Sequence, residues 1–358
     1  MKLQSNRPGF ALPLAILVIG FLTVGVATAF TRGDLEGRMN RDRTAQADAF
    51  ALAQSGLEKF AAHRFSLGFK SNPPAAVESL RIALPGGYAD VISRRVRPKT
   101  ATEQALHVLK SRGVHQAGAL SWTPPAVHTV GQYAFFREGS LKVLSGWTSL
   151  TGLVKNGGSG TISGVDNCGL QPTVAGVALP DGMYFQNGGA LVPEGAPDFL
   201  YMGTPAQMAA QVGIDWDAII NQNAIIPDIE IPGDSWPTST QWADPDYWPV
   251  IRINGNYSIP SSGRGTLIIT GYLTINGALQ WEGIVLVGRT LDADGTNVVL
   301  GATISGLNVI LGETVPVSDV GDGTKTYQYD SCNVANAVNR FSALVLIPNT
   351  WIDNWLSW

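Results

Sequence analysis

No charged residue stands between Arg7 and Arg32. The run opens Pro8-Gly9-Phe10-Ala11-Leu12-Pro13-Leu14-Ala15-Ile16 and stays apolar to Phe30. A helix crosses the hydrocarbon of a bilayer with about 20 apolar residues. The segment is therefore expected to hold the chain in a membrane by one N-terminal span, residues 10–31. Lys2 and Arg7 precede it without an acid, and positive charge favours the cytoplasmic side. Arg32 and Arg38 flank the other end. The bulk of the chain decides the orientation, because it reads as an exported domain.

At 358 residues the chain is longer than one ordinary domain. Its charged fraction of 15% lies below the usual ~25%. With 41 glycines and 10 tryptophans, it reads as rich in strands and turns. A net charge of −4 supplies no basic face, so no nucleic-acid partner is expected. Cys168 and Cys332 are the only cysteines. In an oxidising compartment such a pair is expected to form one disulfide, the alternative being two buried thiols. Neither stands in a C-x-x-C or His-x-Cys spacing, so no metal and no cofactor are expected.

After the span the pattern stays helical. Phe50, Ala53, Leu57 and Phe60 fall on one helical face. A helix continuous from the span to about Arg64 would run about 55 residues and about 80 Å. Residues 32–72 are assigned to this amphipathic stalk, with Asn72-Pro73-Pro74 as its end.

These features together resemble a known family. Gly9-Phe10 ahead of a long apolar run resembles the class III leader of type IV pilins and pseudopilins. Leu35-Glu36-Gly37-Arg38-Met39, Arg41-Asp42-Arg43 and Ala49-Phe50 to Leu57-Glu58 resemble the N-terminal segment of PilX-type minor pilins. The likeness covers about the first 60 residues. It implies cleavage after Gly9 by a prepilin peptidase, which removes residues 1–9, and methylation of Phe10. It implies an inner-membrane stage and then a place in a pilus or on the cell surface. The partners would be other major and minor pilins, met through the helix. Major pilins carry Glu at the fifth mature position, and this chain has Leu14 there. That departure fits a minor subunit at a tip or in an initiating complex. Competing readings are conventional cleavage after Ala29, in Ala27-Thr28-Ala29, and an uncut anchor.

The expected fold class is α+β: a long N-terminal helix, then a mostly β head. Residues 73–143 read as a small β-rich module on the stalk. It would hold a short helix at Ala75–Ala83 and strands near 88–96, 105–111 and 129–136. Residues 144–358 read as the head. From Val250 to Gly312 short β-rich runs end at Gly271, Gly277, Gly283 and Gly288, about six residues apart. Three such strands would form one coil of a parallel β-helix-like solenoid. Antiparallel hairpins compete, because Asn276-Gly277 is a strong hairpin turn. Ser159 to Gly164 has the same texture. Residues 196–249 read as an insertion with a helix over Pro205–Asn223, capped by Thr204, and an aromatic loop of Trp236, Trp242, Tyr247 and Trp248. Trp351, Trp355 and Trp358 would share one face of a terminal helix and cover β-structure.

No catalytic constellation appears. His63, His107, His115 and His128 stand outside any H-E-x-x-H, and there is no G-x-S-x-G or phosphate loop. The chain is expected to be non-enzymatic, the alternative being a β-helix protein that binds or cleaves polysaccharide. Asp292, Asp294, Asp319 and Asp322 read as turn acids. Asp292-Ala293-Asp294-Gly295 resembles the start of a Ca²⁺ loop but lacks the distal Glu. The aromatic loop reads as core, as a platform for a surface glycan, or as a subunit contact.

Overall fold

The computed structural model describes residues 11–64, 67–69, 74–100, 102–116, 125–221 and 224–354. Gly9, Phe10, Trp355 and Trp358 lie outside them. The chain forms two compact units. The first holds residues up to 62, 75–135 and 345–358; the second holds 63–74 and 136–344. The last strands thus return to the first unit, and 144–358 is not one head.

The long helix α1, Ala11–His63, is continuous. Its first half exposes its apolar side chains, among them Ile16, Phe21 and Phe30. From Ala49 a buried stripe begins: Ala49, Leu52, Ala53, Leu57, Phe60 and Ala61. That three- and four-residue spacing is one face of a helix. The helix stops at His63, short of the expected end of the stalk.

Four strands of the first unit follow: β1 (Val77–Leu84), β2 (Gly87–Arg97), β3 (Ala105–His115) and β4 (Ala126–Arg137). β1, β2 and β3 pair antiparallel, and β4 continues the order. Residues 77–83 are strand, not helix. Pro85-Gly86 makes a tight turn with Gly86 at φ 85°, and pairing along all of β1 outweighs a weak local helix preference. Glycine lets α1 and the sheet approach closely. A Cβ on Gly113 would stand 2.1 Å from the Ala49 carbonyl oxygen, and one on Gly56 would stand 2.2 Å from the Ala89 Cβ.

In the second unit the chain first runs β5 (Ser145–Ser149), β6 (Leu153–Lys155), β7 (Ser159–Ser163), β8 (Ala175–Leu179), β9 (Tyr184–Gln186), β10 (Ala190–Glu194) and β11 (Phe199–Tyr201). Helices α2 (Pro205–Val212) and α3 (Trp216–Asn221) come next. The single helix expected at 205–223 is broken, because Gly213 ends α2 at φ 68°. Thr204 does cap α2, in a capping box with Gln207.

A second run of strands follows: β12 (Ile229–Ile231), then the short helix α4 (Ser239–Trp242), β13 (Val250–Ile253), β14 (Tyr257–Ser258), β15 (Gly263–Ile269), β16 (Leu273–Asn276), β17 (Gln280–Val287), β18 (Leu291–Asp294), β19 (Asn297–Ser305), β20 (Ser318–Asp319) and β21 (Thr324–Tyr329). Helix α5 (Ser331–Val338) closes the unit.

Among the described residues every strand pairing in this unit is parallel. Leu267 pairs with Val285 and Leu273 with Leu291, so one pass takes eighteen residues. Asn276-Gly277 turns a corner instead of closing a hairpin. Gly265, Gly283 and Gly301 lie in register at positive φ and bend β15, β17 and β19 alike. A Cβ on Gly301 would stand 1.9 Å from the Gly283 carbonyl oxygen, so only glycine fits that column. Leu267, Ile269, Leu273, Val285 and Leu291 share one buried cluster inside the passes. Neighbouring strand residues face opposite sides. Ile268, Leu286 and Ile304 accordingly pack outward with Met208, Trp216 and Val334 of α2, α3 and α5.

The two runs meet in the middle of the stack. β19, β20 and β21 of the second pair with β5, β6 and β7 of the first. The first run winds from this seam to one end, and the second starts at the other end and winds back.

Two strands then rejoin the first unit. β22 (Ala343–Leu346) lies beside β4, and β23 (Ile352–Asp353) pairs antiparallel with β4. The helix expected from Trp351 is thereby corrected at its start: Ile352–Asp353 are strand, and strand pairing supplies backbone bonds a helix would have made.

Candidate functional site

No residues in the described chain converge on a reaction centre. Three features stand out: the half-exposed helix, the seam, and the two ends of the stack. Along α1 the exposed apolar surface runs unbroken by charge as far as Arg32, with Leu14 55% exposed. One such helix is long and apolar enough to cross a membrane.

At the seam Cys168 and Cys332 form a disulfide with Cα atoms 5.8 Å apart. Cys168 follows β7 and Cys332 sits in α5 just after β21, so the bridge ties one run to the other. Asp166 reinforces it. Its carboxylate accepts from Ser331 N at 2.8 Å, Ser331 Oγ at 2.7 Å, Gln171 N at 2.8 Å, Leu170 N at 2.9 Å and Cys168 N at 3.3 Å. Burial pushes this carboxyl up, but the bonds from Ser331, Gln171 and Cys168 outweigh it and hold it below its ordinary value. Asn167 Nδ2 donates to Asp330 across the same junction at 2.8 Å. Inside, Trp147 of β5 lies 4.5 Å from Tyr327 of β21 and donates to Ser305 Oγ of β19.

Two lysines lie within the passes, Lys155 and Lys325, both fully covered. Lys155 Nζ donates to the Gly321 carbonyl at 2.6 Å, and Lys325 Nζ donates to the Asp322 carbonyl. Burial pushes both amines down, and the charge of Lys155 adds to the effect on Lys325. Sequence reasoning missed them. The signal was strand parity, since Lys155 shares the face of Leu153, and Lys325 that of Tyr327.

The four turn acids are brought together near this corner. Asp319 accepts from Gly321 N at 2.7 Å and from Asn156 Nδ2 at 2.7 Å, and Asp294 accepts from Asp322 N at 3.4 Å. Burial pushes the Asp292 carboxyl up. Residues 291–294 are a strand paired with β16 and β20, which places Asp292 and Asp294 at a corner of the stack.

The aromatic loop packs on the inner cluster. Trp236 lies 6.1 Å and Trp242 6.2 Å from the buried Trp281, and Trp236 stacks on Tyr257 at 5.8 Å. In the first unit the histidines hold structure. His107 is buried beside Ser93, and His128 meets Asp353 of β23 at 2.5 Å and Phe50 edge-on. Trp351 also meets Phe50 edge-on, at 5.6 Å.

No protein-family model matches this chain, and no curated protein matches it. Among solved structures it is similar to the crystal structure of the competence-associated pilin ComZ from Thermus thermophilus. Identity is 12%, over 87% of this chain and 97% of that one, with a TM-score of 0.22.

Proposed function

We propose that this chain is a non-enzymatic minor pilin of the PilX type, which enters a type IV pilus or a related filament through α1. The observation that carries this reading is the division of labour along one unbroken helix. Its stretch before Arg32 offers uncharged apolar surface, and one face from Ala49 to Ala61 is buried under an antiparallel sheet. A chain so built can wait in the inner membrane and then transfer the same apolar half into a fibre core, where buried apolar surface holds subunits together. Leu14 brings no carboxylate into that core. A subunit with none above it to meet needs no acid there, which fits a place at the tip or in an initiating complex.

We also read the second unit as a three-sided solenoid presented outside the cell. The eighteen-residue register and the column of Gly265, Gly283 and Gly301 support that reading. Proposed processing is at Gly9, leaving Phe10 first. Replacing Gly9 with a bulky residue should leave the precursor uncut in host membranes. Normal assembly of pili with an uncut subunit in them would count against the proposal.

A further inference from the structure

A stack of parallel passes has two ends, and these two differ. At one, β12 and β14 come last, and the loop beyond β12 lays Trp236 and Trp242 against Trp281. At the other, β9, β10 and β11 come last. Among the described residues β9 pairs only with β6, β10 only with β7 and β11 only with β8. The side chains that would face a further pass form an aromatic floor instead. Tyr184 and Phe199 lie 5.0 Å apart, and Phe199 stacks on Tyr201 at 6.0 Å. Tyr201 is 48% exposed, and the rim residues Phe185 and Val192 are 43% and 51% exposed.

The backbone of this end is open as well. The Asp198 carbonyl and the Met202 N–H bond to β8. Alternate residues of a parallel ladder bond to opposite sides. The N–H and C=O groups of Phe199 and Tyr201 therefore face outward. Pro193 removes a donor from β10, so β11 is the edge best able to accept a strand. The charges on the strands of this end have one sign. Between Lys155 and Arg252 the chain holds eleven acids and no Lys, Arg or His. Asp181, Glu194 and Asp198 rim the floor, all exposed. A second copy presenting the same end would set like charges together.

We propose that the open end formed by β9, β10 and β11 is a docking surface for an extended, basic strand of a partner protein. Its backbone pairs with β11, its apolar side chains lie on Tyr184, Phe199 and Tyr201, and its flanking Lys or Arg residues meet Asp181, Glu194 and Asp198. Strand addition of this kind takes affinity from main-chain bonds and specificity from the side chains beside them. The inference does not depend on the pilin reading.

The test uses the full chain in detergent micelles and a fluorescein-labelled peptide of alternating valine and threonine with lysine at both ends. Fluorescence anisotropy should show binding at least about tenfold tighter than for the same peptide with glutamate ends, weakening as salt rises. Methylating the central backbone nitrogens should weaken it about tenfold, because the paired donors are gone. Tyr201→Arg should abolish binding, and Val192→Lys, on the exposed rim, should weaken it by placing a like charge beside the peptide's lysines, which keeps a readout should Tyr201→Arg fail to fold. Glu194→Gln should cost about two- to fivefold. Equal affinity for the lysine and glutamate peptides, or unchanged binding by both Tyr201→Arg and Val192→Lys, would overturn the proposal. So would self-association through this end, or an oligosaccharide that binds there while the peptide does not.

Discussion

Removing the bridge at the seam is the most informative perturbation of the fold. The two runs are joined in the middle by three strand pairings, β19 to β5, β20 to β6 and β21 to β7, and by one covalent link. Cys168 and Cys332 are 164 residues apart, and a cross-link closing a loop of that length removes chain entropy worth about 5 kcal/mol from the unfolded state. Asp166 and its bonds to Ser331 stay in place when the sulfurs are lost. The double variant Cys168→Ser, Cys332→Ser should therefore fold but lose about 3–5 kcal/mol in denaturant unfolding. The loss should also have a location. Hydrogen exchange should rise first in Ser159–Ser163 and Thr324–Tyr329, the strands beside the bridge, while β13 to β17 keep their protection. A loss below about 1 kcal/mol, or exchange rising first in β13 to β17, would refute the reasoning.

Other substitutions probe separate joints. Gly113→Ala should cost about 3 kcal/mol in chemical unfolding, since its Cβ would meet the Ala49 carbonyl at 2.1 Å and the Ala53 nitrogen at 2.4 Å; an unchanged midpoint would mean that α1 does not sit so close to the sheet. Asp166→Asn should destabilise at neutral pH, and the deficit should shrink as the pH is lowered into the acid range. The folded-state pKa of Asp166 lies below its ordinary value, so its contribution is present above about pH 4 and is lost as pH falls through the folded pKa; a deficit that does not change with pH down to acid unfolding would assign the effect to packing. Trp351→Ala should cost about 1 kcal/mol, because the ring is partly exposed and its specific contact is the edge-on pair with Phe50, read as a small fall in Tm.

The helix and the β-rich, glycine-punctuated character of the rest were legible because each rests on a local pattern. An uncharged run, a three- and four-residue apolar stripe and recurring glycines need no knowledge of distant partners. The strand at Val77–Leu84 was not legible, since it is set by pairing with β2. The break at Gly213 was missed because Met208, Val212, Trp216 and Ile219 keep a helical spacing across it and are all buried. The seam could not be read either. Nothing local in Ser145–Ser163 says that it will stack on Asn297–Tyr329, though the two cysteines mark the place. Lys155 and Lys325 were hidden because lysine is rarely fully buried, and it is the carbonyls of the turn at Gly321 and Asp322, distant in sequence from Lys155, that make their positions tenable.

The central claim, that α1 serves as a pilin stalk, is tested most directly by the N-terminus of the mature protein. Mass spectrometry of the chain recovered from host membranes should find Phe10 first, carrying one methyl group, with residues 11–31 retained. An N-terminus at Phe30, or an intact Met1 in the assembled protein, would contradict it.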